Sequence, residues 1–272
     1  VFGAFMTGAS YGAAAITILP LAAILGMLMV KGAGSLDWNF FTKSAVPLGE
    51  SGGGFANAIV GTLIIVGVAC AVGVPVGICA GIYLAEFGGG RLGWLVRFVA
   101  DTMNGIPSIV IGIFAWTWIV RPSGHFSALA GSAALAVILA PIVARTTEEM
   151  VRLVPNSLRE AALALGYQRW RTSLTVVVRT AGSGIITGCL VAVARVSGET
   201  APLIFTTLGN QFFSTRVLEP MAALPLQVYV YAVGPYDEWH RQAWAGALVL
   251  VLLIRSLGTL ARVVTRRRQA GA

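Results

Sequence analysis

LREAALALGYQRWRTSL, residues 158–174, places Arg159, Glu160, Arg169 and Arg171 between two long apolar segments. Charges at that density belong at a water interface, so the segment must interrupt whatever the apolar segments build. Pro155 ends what precedes it. Ser157 and Glu160 stand in S-x-x-E spacing, which predicts a capping box and a helix start. Leu158, Ala161, Ala162 and Leu165 fall at i, i+3, i+4 and i+7 and predict one apolar stripe. Gly166 follows as the expected C-cap, where positive φ costs little. A second helical turn then carries Tyr167, Arg169, Trp170 and Arg171 toward the next apolar segment. The region of about 154–172 therefore reads as a short helix–turn–helix lying flat at a membrane surface. Two readings fit it: a connector resting on lipid headgroups with its arginines on anionic lipid, or a docking element for a partner outside the membrane.

The chain around it is hydrophobic. Of 272 residues, 57% are hydrophobic and 11% charged, against about 25% charged in a soluble domain. Mean hydropathy is +0.81. Apolar runs of about 20 residues each match a bilayer core of about 30 Å. An integral membrane protein follows, with six spanning helices expected at roughly 8–30, 57–86, 94–119, 127–150, 174–196 and 243–263. Pro20, Pro75, Pro107 and Pro141 inside them are tolerable, since neighbouring helices can satisfy freed carbonyls. The chain opens on Val1, and residues 1–30 lack a basic start and run too long for a cleavable leader.

Cys70, Cys79 and Cys189 all lie in apolar segments and read as reduced packing residues. His125 and His240 are isolated near segment ends, so no metal site is expected. The net charge is +8, yet the arginines cluster in particular loops, the pattern of membrane orientation rather than of nucleic-acid binding. Arg91, Arg97, Arg145, Arg152, Arg159, Arg169, Arg171 and Arg179, with Arg262, Arg266, Arg267 and Arg268, fall on one side. Lys31, Lys43, Arg121, Arg216 and Arg241 are spread over the other. The positive-inside rule puts both termini and the charged stretch in the cytoplasm. The outer side holds loops of about 31–56 and 197–242. The second is too long for a turn and too apolar for disorder, so LIFTTL and MAALPLQVYVYA are expected to dip into the protein.

Ionisable side chains at membrane depth are costly and point to function. Arg195 and Glu199 stand at i, i+4 and are expected to share a helix face. They read either as a structural ion pair or as an anion contact moderated by a carboxylate. A guanidinium offers paired donors to an oxyanion, and a carboxylate can accept the proton of hydrogen phosphate. Ser197, Gly198, Thr200 and Pro202 suggest that the helix breaks there. Asp101, in the third span, is expected to serve helix packing and to pair with an arginine such as Arg97. The Gly105–Ser108 element predicts a kink, with the Ser108 hydroxyl on freed carbonyls. Arg255 can snorkel toward the cytoplasm.

Glu160-Ala161-Ala162-x-x-x-Gly166 resembles the EAA motif of permease subunits in ABC importers, with Arg179 where that family carries Pro. GGGFANAIVGTL (52–63), GIYLAEF (81–87), NGIPSIVIGIF (104–114), ARVSGETAPLIFT (194–206), MAALPLQVYVYA (221–232) and QAWAGALVL (242–250) resemble the PstA-type permeases of phosphate importers. The resemblance spans most of the chain. It implies an all-α integral membrane protein of the type I ABC importer permease fold, with six transmembrane helices and a cytoplasmic coupling helix, the whole of 1–272 forming one permease domain. It implies a subunit of an ATP-driven phosphate importer, working with a homologous permease, two ATPase subunits and an extracytoplasmic phosphate-binding protein. ATPase coupling would rest on Arg159, Glu160, Ala161, Ala162 and Gly166, and the substrate pathway on Ser108, Arg195, Glu199 and Thr200. The same architecture could serve sulfate or molybdate, and a gated anion channel or a scaffold would need no EAA element. Neither Lys31 nor Lys43 sits in G-K-[ST], so no P-loop can form and ATP hydrolysis belongs to another chain. No cofactor is implied.

The arginine asymmetry makes topology testable. In intact cells carrying a Cys-free background, Ser157→Cys should stay unlabelled by an impermeant thiol reagent, while Ser214→Cys should label. Labelling of Ser157→Cys from outside would overturn the orientation.

Overall fold

The computed structural model describes residues 2–46 and 53–270, with the side chains of Ala4, Leu257 and 260–270 left out. Residues 47–52 of the first outer loop, and the C-terminal arginine side chains counted above, lie outside the described set. Every described element is helical. The long ones are α1 (Phe2–Ala33), α3 (Ala56–Glu86), α6 (Ala128–Arg152), α8 (Arg169–Ser197) and α11 (Asp237–Ala270). Shorter ones are α2 (Trp38–Thr42), α4 (Arg91–Gly105), α5 (Ser108–Ser123), α7 (Asn156–Ala164), α9 (Ala201–Thr206) and α10 (Leu224–Val233).

Four described helices (α1, α3, α6 and α8) are long and apolar enough to cross a membrane, or five if α4 and α5 form one span. The sixth expected span, 243–263, falls within α11, which that count does not include. The third span departs from expectation. It is two helices bent by 103°, not one kinked helix. Pro107 supplies the reason: it donates no N–H and drives Ile106 out of the helical region, to ψ 131°. The fifth span instead runs unbroken through Arg179, with one π turn at Ser173–Val177.

The centre of the molecule is the pair α3 and α6. Ile65, Ala69, Leu135, Leu139 and Val143 are buried between them and the neighbours α8 and α9. Close approach is possible because glycines line α3. A Cβ on Gly77 would stand 2.7 Å from the Ala140 carbonyl, and one on Gly81 2.5 Å from the Ala144 carbonyl. The outer end is closed as expected by the long loop folding inward. Met221, Ala222, Ala223, Leu224 and Leu226 are buried, the Leu224 N–H donates to the Thr62 hydroxyl (2.7 Å), and the Asn57 amide donates to the Asn210 carbonyl (2.8 Å). Phe40 stacks on Phe55, and Tyr231 on Trp239, sealing this end with aromatic surface.

Gly77→Ala and Gly81→Ala should each cost about 1–3 kcal/mol through overpacking. Gly67→Ala, with no atom within 4 Å of its added Cβ, should be neutral within about 0.5 kcal/mol. Thermal unfolding of the purified protein reads this, and equal shifts in all three variants would refute the close-packing account.

Candidate functional site

The break between α4 and α5 opens a cavity of about 190 Å³. Asn104, Pro107 and Ser108 line one wall, Ile138 another, and Arg195 and Glu199 a third. Three of the four expected pathway residues, Ser108, Arg195 and Glu199, thus meet in one place. Thr200 is outside the lining, one residue beyond Glu199, where its carbonyl accepts from the first N–H groups of α9. Asn104 was not singled out from the sequence, although it stands in the same N-G-x-P element.

Arg195 and Glu199 do not pair. Among the described residues neither enters an ion pair. The i, i+4 expectation fails because α8 ends at Ser197. Gly198 donates to the Arg195 carbonyl, and Glu199 to that of Val196, so the chain turns before residue 199. Both residues line the cavity. A guanidinium fork, an amide, a hydroxyl and the N-terminal end of α5 all favour an anion. One carboxylate beside them can accept a hydrogen bond only from a protonated oxyanion.

Helix α7 forms where expected and ends as expected. Gly166 has φ +82°. Its N–H donates to the Leu163 carbonyl, and the Tyr167 N–H to that of Ala162, a Schellman motif. Its start differs. The helix begins at Asn156 with Pro155 at the cap position and no side-chain cap bond, so Ser157 lies inside the first turn and no capping box forms. The stripe is also divided. Ala162 is buried, but Leu158 and Leu165 are exposed, the latter by 80%. Glu160 and Ala161 are exposed beside them.

Arg159 faces the other way. Its guanidinium pairs with Glu86 at the end of α3 (2.9 Å) and donates to the Val151 and Val154 carbonyls at the end of α6. The Ser173 hydroxyl donates to the other Glu86 oxygen (2.9 Å). Arg159 is therefore the tie between α7 and the spans rather than part of an outward face.

A second carboxylate organises the same end. Glu148 is 1% exposed, accepts from Arg97 (2.7 Å) and Arg145 (2.8 Å), and forms an ion pair with Arg152 (2.7 Å). Arg97 also donates to the Leu84 and Gly88 carbonyls. Asp101 pairs with Arg145 (2.9 Å), not with Arg97 as expected, because Arg97 is already held by Glu148 and those carbonyls. Glu148 and Glu86 were missed in the sequence, where each reads as one more polar residue at a span end.

The profile of the family described as binding-protein-dependent transport system inner membrane component matches residues 77–270. The phosphate transport system permease protein PstA of Yersinia pestis is 46% identical over 90% of this chain and 84% of its own length. That of Haemophilus influenzae is 44% identical over 97% and 94%. The chain belongs to the PstA-type family of ABC importer permeases. It is a transporter component rather than an enzyme, and a multi-pass membrane protein. A probable PstA of Methanocaldococcus jannaschii is 38% identical over 89% of this chain and 86% of its own length. Among solved structures, an inward-facing conformation of the MetNI methionine ABC transporter superposes with TM-score 0.60 at 19% identity, covering 77% of this chain and 94% of that one. The fold is the type I importer permease fold.

Proposed function

We propose that this chain is one of two homologous permease subunits of an ATP-driven inorganic phosphate importer. Residues 1–272 act as one permease domain with both termini in the cytoplasm. Two ATPase subunits dock on the coupling region of about 154–172, and an extracytoplasmic binding protein delivers phosphate at the outer loops. The names and identity of the PstA relatives support the substrate. The exposed apolar side chains Leu158 and Leu165, beside Glu160 and Ala161, supply the surface an ATPase cleft would cover.

The observation that carries the mechanism is Arg195, which lines the cavity at the broken helix and has no ion-pair partner among the described residues. The guanidinium fork matches two phosphate oxygens. Glu199 and Ser108 then orient the anion, and Glu199 limits how tightly it is held. Alternating access carries phosphate past this point as the coupling helix follows the ATPases. The chain itself makes and breaks no covalent bond.

Since Arg195 neutralises no carboxylate among the described residues, Arg195→Gln should leave stability unchanged within about 0.5 kcal/mol. Phosphate uptake in proteoliposomes, normalised to assembled complex, should fall about 10²-fold, the scale of losing a charged contact of roughly 3 kcal/mol. Arg195→Lys should also transport poorly. Near-normal uptake by Arg195→Gln would reject the role, and equal uptake of sulfate by the wild type would reassign the substrate.

A further inference from the structure

A second cavity, of about 600 Å³, runs between α3, α4 and α6. Its lining is apolar throughout, from Val72 to Ala80 on α3, Leu95 to Met103 on α4 and Ala133 to Ala144 on α6. It runs toward the ends of α3 and α6 that carry Glu86 and Glu148. We propose that it binds one anionic phospholipid, with acyl chain in the groove and headgroup phosphate on the arginines at its cytoplasmic mouth.

A lining without a polar side chain suits an acyl chain. Charge then selects the lipid. Arg97 and Arg145 directly follow the lining residues Val96 and Ala144, and Arg152 joins them on Glu148. Arg91 lies one turn before Leu95, on the same face of α4, and forms no ion pair among the described residues. These four guanidiniums exceed the carboxylates of Asp101, Glu148 and Glu149 beside them. The Arg152 side chain is 55% exposed and meets Glu148 through one nitrogen, so donors remain for a phosphodiester. Basic pockets between helices on the cytoplasmic side suit anionic headgroups.

The test uses the assembled complex, purified into mixed micelles of phosphatidylglycerol and phosphatidylcholine, with retained lipid measured by mass spectrometry. Wild type should retain phosphatidylglycerol selectively. Arg91→Gln/Arg152→Gln should lower its retention about ten-fold or more while phosphatidylcholine is unchanged. Val137→Trp, filling the groove, should exclude it. Should Val137→Trp fail to assemble, Val137→Cys should cross-link to a maleimide-bearing lipid tail. Equal retention by wild type and the arginine variant overturns the proposal. So does loss of retention in millimolar inorganic phosphate, which assigns the arginines to free anion. Cross-linking of Val137→Cys to another subunit in place of the lipid tail overturns it too, and assigns the groove to a protein interface.

Discussion

Glu148 is a buried carboxylate, and a buried carboxylate must be paired. Three arginines from two helices meet that demand, Arg97 from α4 and Arg145 and Arg152 from α6. Arg97 then reaches the last carbonyls of α3. One acidic side chain thereby fixes the relative position of three helix ends. Stranding a member of such a group is costly, about 3–5 kcal/mol when fully buried, somewhat less here because Arg145 and Arg152 reach solvent. Glu86 repeats the device one layer lower, binding Arg159 of α7 and Ser173 of α8. Helix α7 is therefore fastened to α3, α6 and α8 through Arg159 and Glu86, while the glycines of α3 let those spans close on each other.

The same constraint connects the two ends of the candidate mechanism. α4 is held at Arg97 by the ion cluster, and its far end carries Met103 and Asn104 of the Arg195 cavity, while Ser108 of that cavity begins α5. Arg159 links α7 to Glu86 and to the Val151 and Val154 carbonyls, and Glu148 links α6 to α4.

The membrane class, the all-helical fold, the helix over 156–164 with its Gly166 cap and the inward folding of the 197–242 loop were legible in the sequence. Each depends on a local rule: span length, apolar spacing, positive φ, or a loop too apolar for water. The failures share a cause. A shared helix face for Arg195 and Glu199 needs the helix to reach residue 199, and it ends at Ser197, at the break that Ser197, Gly198, Thr200 and Pro202 suggest. The capping box assumed that Ser157 leads the helix, and Pro155 already does. Arg159 reads from the linear sequence as one of a basic group on the surface, because nothing near it in the chain reveals Glu86, 73 residues earlier. Glu148 has the same history: the partner Arg97 is 51 residues away. Long-range charge pairing leaves no periodic trace in a single sequence.

The central claim is that these carboxylates carry the movement of the coupling helix into the spans. The most direct measurement is phosphate taken up per ATP hydrolysed, in proteoliposomes containing the assembled complex with Arg159→Gln/Glu86→Gln. The double replacement removes both charges, so no unpaired ion is left buried and assembly should survive. The account predicts that ATP hydrolysis persists while uptake per ATP falls several-fold. An unchanged ratio of uptake to hydrolysis would contradict it.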